Sequence, residues 1–473
     1  MVDVFSSATE QLAAMARGEI SAAELLDAHL AQLDKHHGTL NAVIWHDVDA
    51  ARAAAAKIDR PATRDQALLG LPMTVKDSFN VVGAPTTWGI PAMTNNIADQ
   101  DSVVVERVRA AGAIVYGKTN VPIGLGDFQS YNKIYGTTNN PWDTSRTPGG
   151  SSGGSAAALA AGMSALEMGS DIAGSIRNPA HYCGVFGHKP TWGLVPARGH
   201  ALPGALAEAD IAVVGPLARS AADLDLALDV VARPDRLQDG IRYDLPRFSG
   251  VNGMRVVLWP DDPEAPVSRE VSDRVRAVGR TLEELGAIVV DDVRPDFTAE
   301  HCHEVYSDLL NGFLGAANSR SVWEDERRKA EELPDDDTWA RFYRSRTMSH
   351  RTWLRLNHKR EALRWAWQRF FDAYDVVVMP ICATSAFPHD HTRMSQRTIT
   401  VDGSVQDYFQ QSFWAGLPGI AHLPSTVIPT GPDGDGLPIG LQLVGPAYGD
   451  RITIGLARVL ENAGYAFGRP PGY

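Results

Sequence analysis

The sequence contains little cysteine and no long hydrophobic run. Only three of its 473 residues are cysteines, and they lie far apart at Cys183, Cys302 and Cys382. An odd, scattered set of cysteines excludes a disulfide framework and is typical of a reducing compartment. The chain has no stretch of about 18 uninterrupted apolar residues, as a transmembrane helix would need, and its N-terminus does not resemble a secretion signal. We therefore expect a cytoplasmic protein that does not enter a membrane.

Positive charge is also scarce. The formal net charge is −13 at pH 7, and the one modest basic cluster lies between Arg341 and Arg369. Proteins bind nucleic acids and anionic membranes through clusters of lysine and arginine. Neither a nucleic acid nor a membrane is therefore an expected partner.

Two short motifs look like cofactor sites, but each lacks an essential part. In HCHEV, His301 and His303 are two residues apart, a spacing that does not place both on one face of a helix. GAIVYGKT, at 112–119, matches the spacing of a phosphate-binding loop. The residues between its glycines are those of a buried strand, however, and Gly112 fits the end of the preceding helix. We expect neither a metal ion nor a nucleotide cofactor.

The chain does contain a recurring succession of helix, glycine and apolar strand. SVVVERVRAAG precedes AIVYGKTN, and VSDRVRAVGRTLEELG precedes AIVVDD in the same way. Further apolar runs lie at 254–259, 375–380 and 437–444. This succession is typical of sheets covered by helices, so we predict an α/β fold with a mixed, largely parallel sheet. Residues 319–371 are charged, rich in tryptophan and without strand signals, which predicts a helical lobe.

The most unusual segment is TPGGSSGGSAAALAAG at 147–162, which the motif GSIRNPA follows. One interpretation makes Ser152 the apex of a nucleophile elbow of the G-x-S-x-G type. Such an elbow must follow a buried strand directly, whereas the polar loop NNPWDTSRTPG comes before this one. A second interpretation uses a lysine as the base that activates a serine, since a serine hydroxyl is a poor nucleophile until its proton is removed. GLPMTVKD places Lys76 at the end of an apolar strand, where burial could lower the pKa of its ammonium group.

These motifs, together with GKTN, GTTNNPWD, GSDIAGSIRNPAHYCGVFGHKPT and GLPIGLQLVG, stand in the order found in the amidase signature family, which the sequence resembles. The resemblance is close at 69–196 and again at 415–444. It implies a three-layer α/β/α sandwich around a mixed sheet. It also implies a catalytic triad of Lys76, Ser151 and Ser175, in which Ser175 is the nucleophile and a cis peptide bond precedes Ser151.

The resemblance implies roles for neighbouring residues as well. The backbone amides of Ile172, Ala173, Gly174 and Ser175 would form the oxyanion hole. Asp171 and Arg177 would hold that loop, and Ser152, next to Ser151, would begin the turn toward the helix that starts near Ser155. Two positions depart from the family pattern: Ala173 stands where a glycine is frequent, and VPIGLGDF at 121–128 replaces a segment that usually carries a glutamate and an aromatic residue.

We expect one amidase domain over residues 1–473. Its parts are the N-terminal helices (1–66), the signature core (69–232), a helical lobe on the substrate side (319–371) and a C-terminal sheet and helix (375–473).

The predicted activity is hydrolysis of small linear amides without a cofactor, with esters and carbamates as further substrates. One alternative is an amidotransferase subunit that acts on glutamine within a complex, although VPIGLGDF and the lobe at 319–371 weigh against it. Another is a binding protein of the same fold without catalytic activity. The oligomeric state is open, with a homodimer among the alternatives.

Overall fold

Serine residues begin the first two helices. The computed structural model of the protein describes residues 3–59, 66–238, 240–334 and 337–473, and its first helices are α1 (Ala8–Ala16) and α2 (Ala22–Leu40). Ser7 and Ser21 each accept a hydrogen bond from the amide of the glutamate three residues later, and that glutamate accepts the serine amide in return. This exchange satisfies amides that a helix leaves unpaired.

Twelve further α-helices lie in the described ranges. In chain order they are α3 (Val48–Ile58), α4 (Val103–Ala110), α5 (Gly153–Ala160), α6 (Arg177–Cys183), α7 (Ala221–Val231), α8 (Arg269–Glu284), α9 (Ala299–Ala316), α10 (Arg320–Glu332), α11 (Thr338–Arg346), α12 (His350–Ala373), α13 (Phe413–Ile420) and α14 (Asp450–Asn462). Helices α10 to α12 confirm the helical prediction for 319–371. None of the described helices is both long and apolar enough to cross a membrane.

Eleven of the strands form one sheet. In chain order the strands are β1 (Val43–His46), β2 (Pro72–Lys76), β3 (Ile114–Thr119), β4 (Tyr131–Asn132), β5 (Gly136–Thr137), β6 (Glu167–Asp171), β7 (Phe186–Lys189), β8 (Val213–Ala218), β9 (Arg255–Leu258), β10 (Ile288–Val290), β11 (Val376–Met379), β12 (Thr398–Val401), β13 (Ser404–Asp407), β14 (Ser425–Pro432) and β15 (Pro438–Val444). The order across the large sheet is β1, β3, β2, β6, β8, β7, β14, β15, β11, β9 and β10. Two hairpins, β4–β5 and β12–β13, stand apart from it.

The α/β/α layering is confirmed. Every residue of β2, β6, β8 and β15 is buried, which requires cover on both faces of the sheet. The predicted strand within GAIVYGKT is also confirmed, since β3 includes the lysine and threonine of that motif. Gly112 separates it from α4 with φ +94°, a conformation that favours glycine.

The sheet is mixed, as expected, but its parallel pairs are the smaller share. Four pairs are parallel, all toward the two flanks: β2–β3, β2–β6, β9–β10 and β9–β11. The other six, including all those at the centre, are antiparallel. The expectation of a largely parallel sheet was wrong because the two helix, glycine and strand successions on which it rested lead into β3 and β10, which lie in the flanks. The central β14 and β15 are instead joined by a short turn, which makes neighbouring strands antiparallel.

The fold places two strand ends next to each other at one edge of the sheet. β2 and β6 are parallel neighbours, with Val75 opposite Met168, and they end at Lys76 and Asp171. The serine and glycine segment runs beside this edge and continues into α5, whose residues are all buried. The motifs singled out in the sequence therefore meet at one location.

Candidate active site

Lys76 is a buried amine among hydroxyl groups. It is the last residue of β2, and none of its surface is exposed. Its Nζ lies 2.7 Å from Ser151 Oγ and 2.9 Å from Ser170 Oγ, both within hydrogen-bond distance. Among the described residues it has no carboxylate partner at ion-pair distance. The lysine is thus held by neutral groups.

Burial changes the acidity of this lysine. Loss of hydration lowers the pKa of Lys76 to about 7, although the charge of Asp171 acts in the opposite direction. A shift from 10.5 to this value corresponds to about 5 kcal/mol in favour of the neutral amine. Near neutral pH a large fraction of Lys76 can therefore accept a proton from the hydroxyl beside it.

The glycines next to Ser151 allow close backbone packing. A side chain at Gly150 would overlap the backbone of Asp127 and Gln129, and the peptide bond from Gly150 to Ser151 is cis. The Gly150 amide donates to Asn178 Oδ1 at 3.0 Å, and Ser130 Oγ donates to the Gly149 carbonyl at 3.0 Å. The loop that carries Ser151 is consequently fixed on several sides.

The two adjacent serines have different surroundings. Ser151 Oγ lies beside Lys76, whereas Ser152 Oγ lies 3.3 Å from the carbonyl oxygen of Ser170. The amide of Ser152 donates to the carbonyl of Ser175 at 3.1 Å, which joins the two serine-bearing loops through their backbones. Of the two adjacent serines, Ser151 is therefore the one that lies beside the lysine.

Ser175 is the most accessible of the three predicted triad residues. Its relative exposure is 6%, against 1% for Ser151 and none for Lys76. Within the described residues its hydroxyl makes no protein hydrogen bond, so the structure brings Lys76 and Ser151 into direct contact but links Ser175 to them only through the backbone. An accessible hydroxyl without a protein partner is available to a bound molecule.

Three of the four predicted oxyanion-hole amides are free. In the described part of the chain, the amides of Ile172, Ala173 and Ser175 donate to no protein acceptor. The Gly174 amide differs from the expectation, since it donates to Asp171 Oδ1 at 2.9 Å. Its φ of +103° turns the backbone in a way that glycine favours, and this turn directs its N–H toward the carboxylate. The other three amides therefore remain the candidates for an oxyanion hole.

Asp171 and Arg177 hold this turn from within. The carboxylate forms a buried ion pair with Arg177 at 2.8 Å and also accepts the amides of Gly174 and Ile176. Burial would raise the pKa of Asp171, but the charge and hydrogen bonds of Arg177, together with Lys189, bring it well below its usual range. Asp171 thus stays charged and keeps its hydrogen bonds.

Two residues at the site were missed in the sequence. Ser170 contributes a second hydroxyl to Lys76, and Tyr306, on α9, donates a hydrogen bond of 3.0 Å to the carbonyl of Ile172. Ser170 could have been found, because it lies in the strand that ends at Asp171 and serine is the one hydroxyl residue there. No local signal marks Tyr306, which lies 134 residues away from Ile172 along the chain.

The described residues contain no group of three or more histidine, cysteine or carboxylate side chains able to hold a metal ion. The groups gathered around Ser175 are a buried lysine, hydroxyls and backbone amides. This arrangement can remove a proton from a serine and stabilise an oxyanion without a bound metal.

Comparisons with known proteins match nearly the whole chain. The family model described as Amidase matches residues 24–454. The chain is 34% identical to a glutamyl-tRNA(Gln) amidotransferase subunit of Anaeromyxobacter sp. (strain K), covering 95% of this chain and 94% of the relative. It is 30% identical to an acylamidase of Rhodococcus erythropolis, covering 96% of this chain and 94% of the relative.

Solved structures are similar over the same length. The structure of 6-aminohexanoate cyclic dimer hydrolase complexed with substrate is 27% identical, with a TM-score of 0.80 over 100% of this chain and 99% of the other. An inhibitor-bound complex that bears on the evolutionary origins of an s-triazine catabolic enzyme contains a chain that is 29% identical, with a TM-score of 0.81 over 98% and 99%.

Proposed function

The chain belongs to the amidase signature family, and on that premise we propose that it hydrolyses the carbon–nitrogen bond of small linear amides through an acyl-enzyme on Ser175. The observation that carries the proposal is the contact of 2.7 Å between Lys76 Nζ and Ser151 Oγ in a site without exposed charge. It supplies a base of suitable pKa and a hydroxyl that can pass a proton on.

The first half of the reaction forms the acyl-enzyme. Ser175 Oγ attacks the amide carbonyl while its proton moves to Ser151 Oγ, and the Ser151 proton moves to Lys76 Nζ. The carbonyl oxygen becomes an oxyanion held by the amides of Ile172, Ala173 and Ser175. As the tetrahedral intermediate collapses, Lys76 returns the proton through Ser151 to the leaving nitrogen, and the carbon–nitrogen bond breaks.

The second half releases the acid. Water attacks the ester of Ser175 while the same hydroxyl and lysine accept its proton. The second tetrahedral intermediate then expels Ser175 Oγ, which recovers its proton through Ser151. The products are an amine and a carboxylic acid, and the enzyme returns to its starting state. Esters and carbamates have the same carbonyl geometry, so we include them as further substrates.

A second function is suggested by the relatives. An amidotransferase subunit is 34% identical to this chain, but so is a putative amidase of Mycobacterium tuberculosis, so sequence identity does not separate the two functions. A protein of that kind acting on glutamine would use the same lysine and serines. The departure VPIGLGDF at 121–128 and the tryptophan-rich segment 319–371 weigh against the amidotransferase.

Hydrolysis of a panel of aliphatic and aryl amides, carbamates and esters by the purified chain tests the proposal, with Ser175→Ala as the control. We expect turnover without any partner protein and an acyl adduct on Ser175 by mass spectrometry. Hydrolysis of glutamine but of no other substrate, and only when partner subunits are added, would favour the amidotransferase. Inactivity on every substrate would favour the binding protein. A cytoplasmic location and a homodimer stay predictions.

A further inference from the structure

We propose that Tyr306 is a positioning residue for the oxyanion hole: its hydroxyl fixes the peptide group between Ile172 and Ala173 so that the N–H of Ala173 faces the substrate carbonyl. The inference rests on the proposed function, because it assigns the side chain that orients one of the three backbone amides of the proposed oxyanion hole. It concerns a residue of α9, outside the segments in which the sequence motifs lie.

The argument begins with the geometry of one peptide group. The carbonyl of Ile172 and the N–H of Ala173 belong to the same planar unit. The described residues contain one cis peptide bond, between Gly150 and Ser151, so the unit at Ile172 is trans and its carbonyl and N–H point in opposite directions. Tyr306 donates to the carbonyl at 3.0 Å, which leaves the N–H directed away from α9.

The hydrogen bonds of the neighbouring peptide groups do not fix the peptide group between Ile172 and Ala173. Asp171 accepts the amides of Gly174, Ile176 and Arg177, so it fixes the turn after Ala173. Neither Ile172 nor Ala173 donates its amide to any described acceptor. Among the described residues, the Tyr306 hydroxyl thus makes the one side-chain hydrogen bond to the peptide group between them.

Tyr306 itself is held firmly. Its side chain is fully buried, and burial raises the pKa of its hydroxyl well above the usual value, so it remains a donor at all working pH values. The ring packs against Gly416 of α13, where a methyl group would lie 2.6 Å from Tyr306 Cδ1. The absence of a side chain at Gly416 therefore allows the ring to reach Ile172.

A hydrogen bond at the carbonyl also polarises the peptide group. Hydrogen bonds in a chain strengthen one another, so a donor on the Ile172 carbonyl makes the Ala173 N–H a better donor to an oxyanion. Loss of a whole oxyanion-hole donor costs about 10²–10³ in kcat. Since Tyr306 orients a donor and does not replace one, we expect a smaller effect, about tenfold.

The test compares Tyr306→Phe with Tyr116→Phe. Tyr116 is an equally buried tyrosine whose hydroxyl donates to the backbone carbonyl of Met163, away from the site. For Tyr306→Phe we expect kcat on a good amide substrate to fall about tenfold with KM within about twofold, and for Tyr116→Phe neither value to change beyond about twofold. An alkyl or aryl boronic acid, which forms a tetrahedral adduct on a serine, should bind Tyr306→Phe about tenfold more weakly, whereas the carboxylic acid product should bind equally well.

A second variant displaces the ring without removing the hydroxyl. Gly416→Ala places a methyl group against the Tyr306 ring, and we expect the same loss of kcat and of boronic acid affinity. A kcat for Tyr306→Phe within twofold of wild type would overturn the inference. So would equal losses of boronic acid and product binding, which would indicate general distortion. In both cases the proposed function would stand; a wild-type chain without any turnover would overturn both.

Discussion

Asp127 and Arg397 form a buried ion pair of 2.7 Å directly behind the loop that carries Ser151. The backbone of Asp127 packs against Gly150, and Arg397 lies at the start of the hairpin β12–β13. Two tyrosines form hydrogen bonds with this ion pair. Arg397 donates to the hydroxyl of Tyr131, and the hydroxyl of Tyr408 donates to Asp127. The ion pair thus connects the hairpin β12–β13 to the segment that packs against the Ser151 loop.

Removing the charge of Arg397 should destabilise the fold. Arg397→Gln leaves Asp127 as a buried carboxylate without a cation, and we expect a loss of about 3 kcal/mol or more in the free energy of unfolding. Chemical denaturation measures it. The control is Arg451→Gln, which removes partly exposed ion pairs with Asp225 and Asp229 and should cost at most about 1 kcal/mol. Equal losses in the two variants would contradict the prediction.

The rate of amide hydrolysis should rise with pH in the region where Lys76 loses its proton. Below pH 7 the lysine is increasingly protonated and cannot accept a proton, so kcat/KM should decrease toward acid with an apparent pKa near 7. Lys76→Ala should lower kcat at least about a hundredfold, whereas the exposed Lys57→Ala should change it little. An acid limb near the usual lysine pKa, or a near-normal rate for Lys76→Ala, would show that another group is the base.

The adjacent serines should differ in their importance. Ser151→Ala removes the hydroxyl beside Lys76, and we expect at least about a hundredfold loss of kcat in a protein that still folds, with about 1 kcal/mol of stability lost. Ser152→Ala removes long hydrogen bonds to the backbone of Ser170, which costs about 1 kcal/mol of stability, and should retain most activity. A fluorophosphonate should label Ser175, and Ser175→Ala should abolish labelling. An inactive Ser152→Ala beside an active Ser151→Ala would reverse the assignment.

Glu167 should make the fold less stable as the pH rises. Burial raises the pKa of Glu167 from 4.5 to about 8, against hydrogen bonds from Thr74 and Ser155 that lower it. Between these values the unfolded chain ionises this carboxyl group while the folded chain keeps it protonated, so its favourable contribution at low pH is lost as the pH increases toward 8.

Glutamine in place of Glu167 cannot ionise. From pH 5 to pH 8, wild type should therefore lose more unfolding free energy than Glu167→Gln, by about 2 to 5 kcal/mol. The exposed Glu284→Gln serves as the control and should behave like wild type. If all three proteins show the same pH dependence, Glu167 does not remain protonated in the folded state.

The sequence was sufficient to indicate those candidate site residues that lie in short motifs. Lys76 ends an apolar strand, and Asp171, Ser175 and Arg177 lie within seven residues, so one turn of backbone brings the last three together. The layering of helices on the sheet also followed from local patterns. In these places the interacting groups are close along the chain or are separated by regular elements.

Features that depend on distant contacts could not be predicted in this way. Tyr306 reaches Ile172 over 134 residues, and Arg397 reaches Asp127 over 270. Neither residue differs in its local sequence from an ordinary helical tyrosine or surface arginine. The expectation for the Gly174 amide was wrong for a related reason, because the resemblance indicates which loop is used but not the direction of each N–H within it.

The tight packing of the serine and glycine loop has a consequence for changing the substrate. Side chains at Gly150, Gly153 and Gly154 would overlap Asp127, Ser130 and Asn120, respectively, so this loop accepts almost no variation. The neighbouring segment VPIGLGDF (121–128) is different: Phe128 is only partly buried, and Ile123 is exposed. A library that randomises the glycine loop should therefore yield mostly unfolded or inactive proteins, while one that randomises Ile123 and Phe128 should keep the fold and the catalytic machinery. Tolerance to substitution thus differs sharply between two stretches that lie close together along the chain.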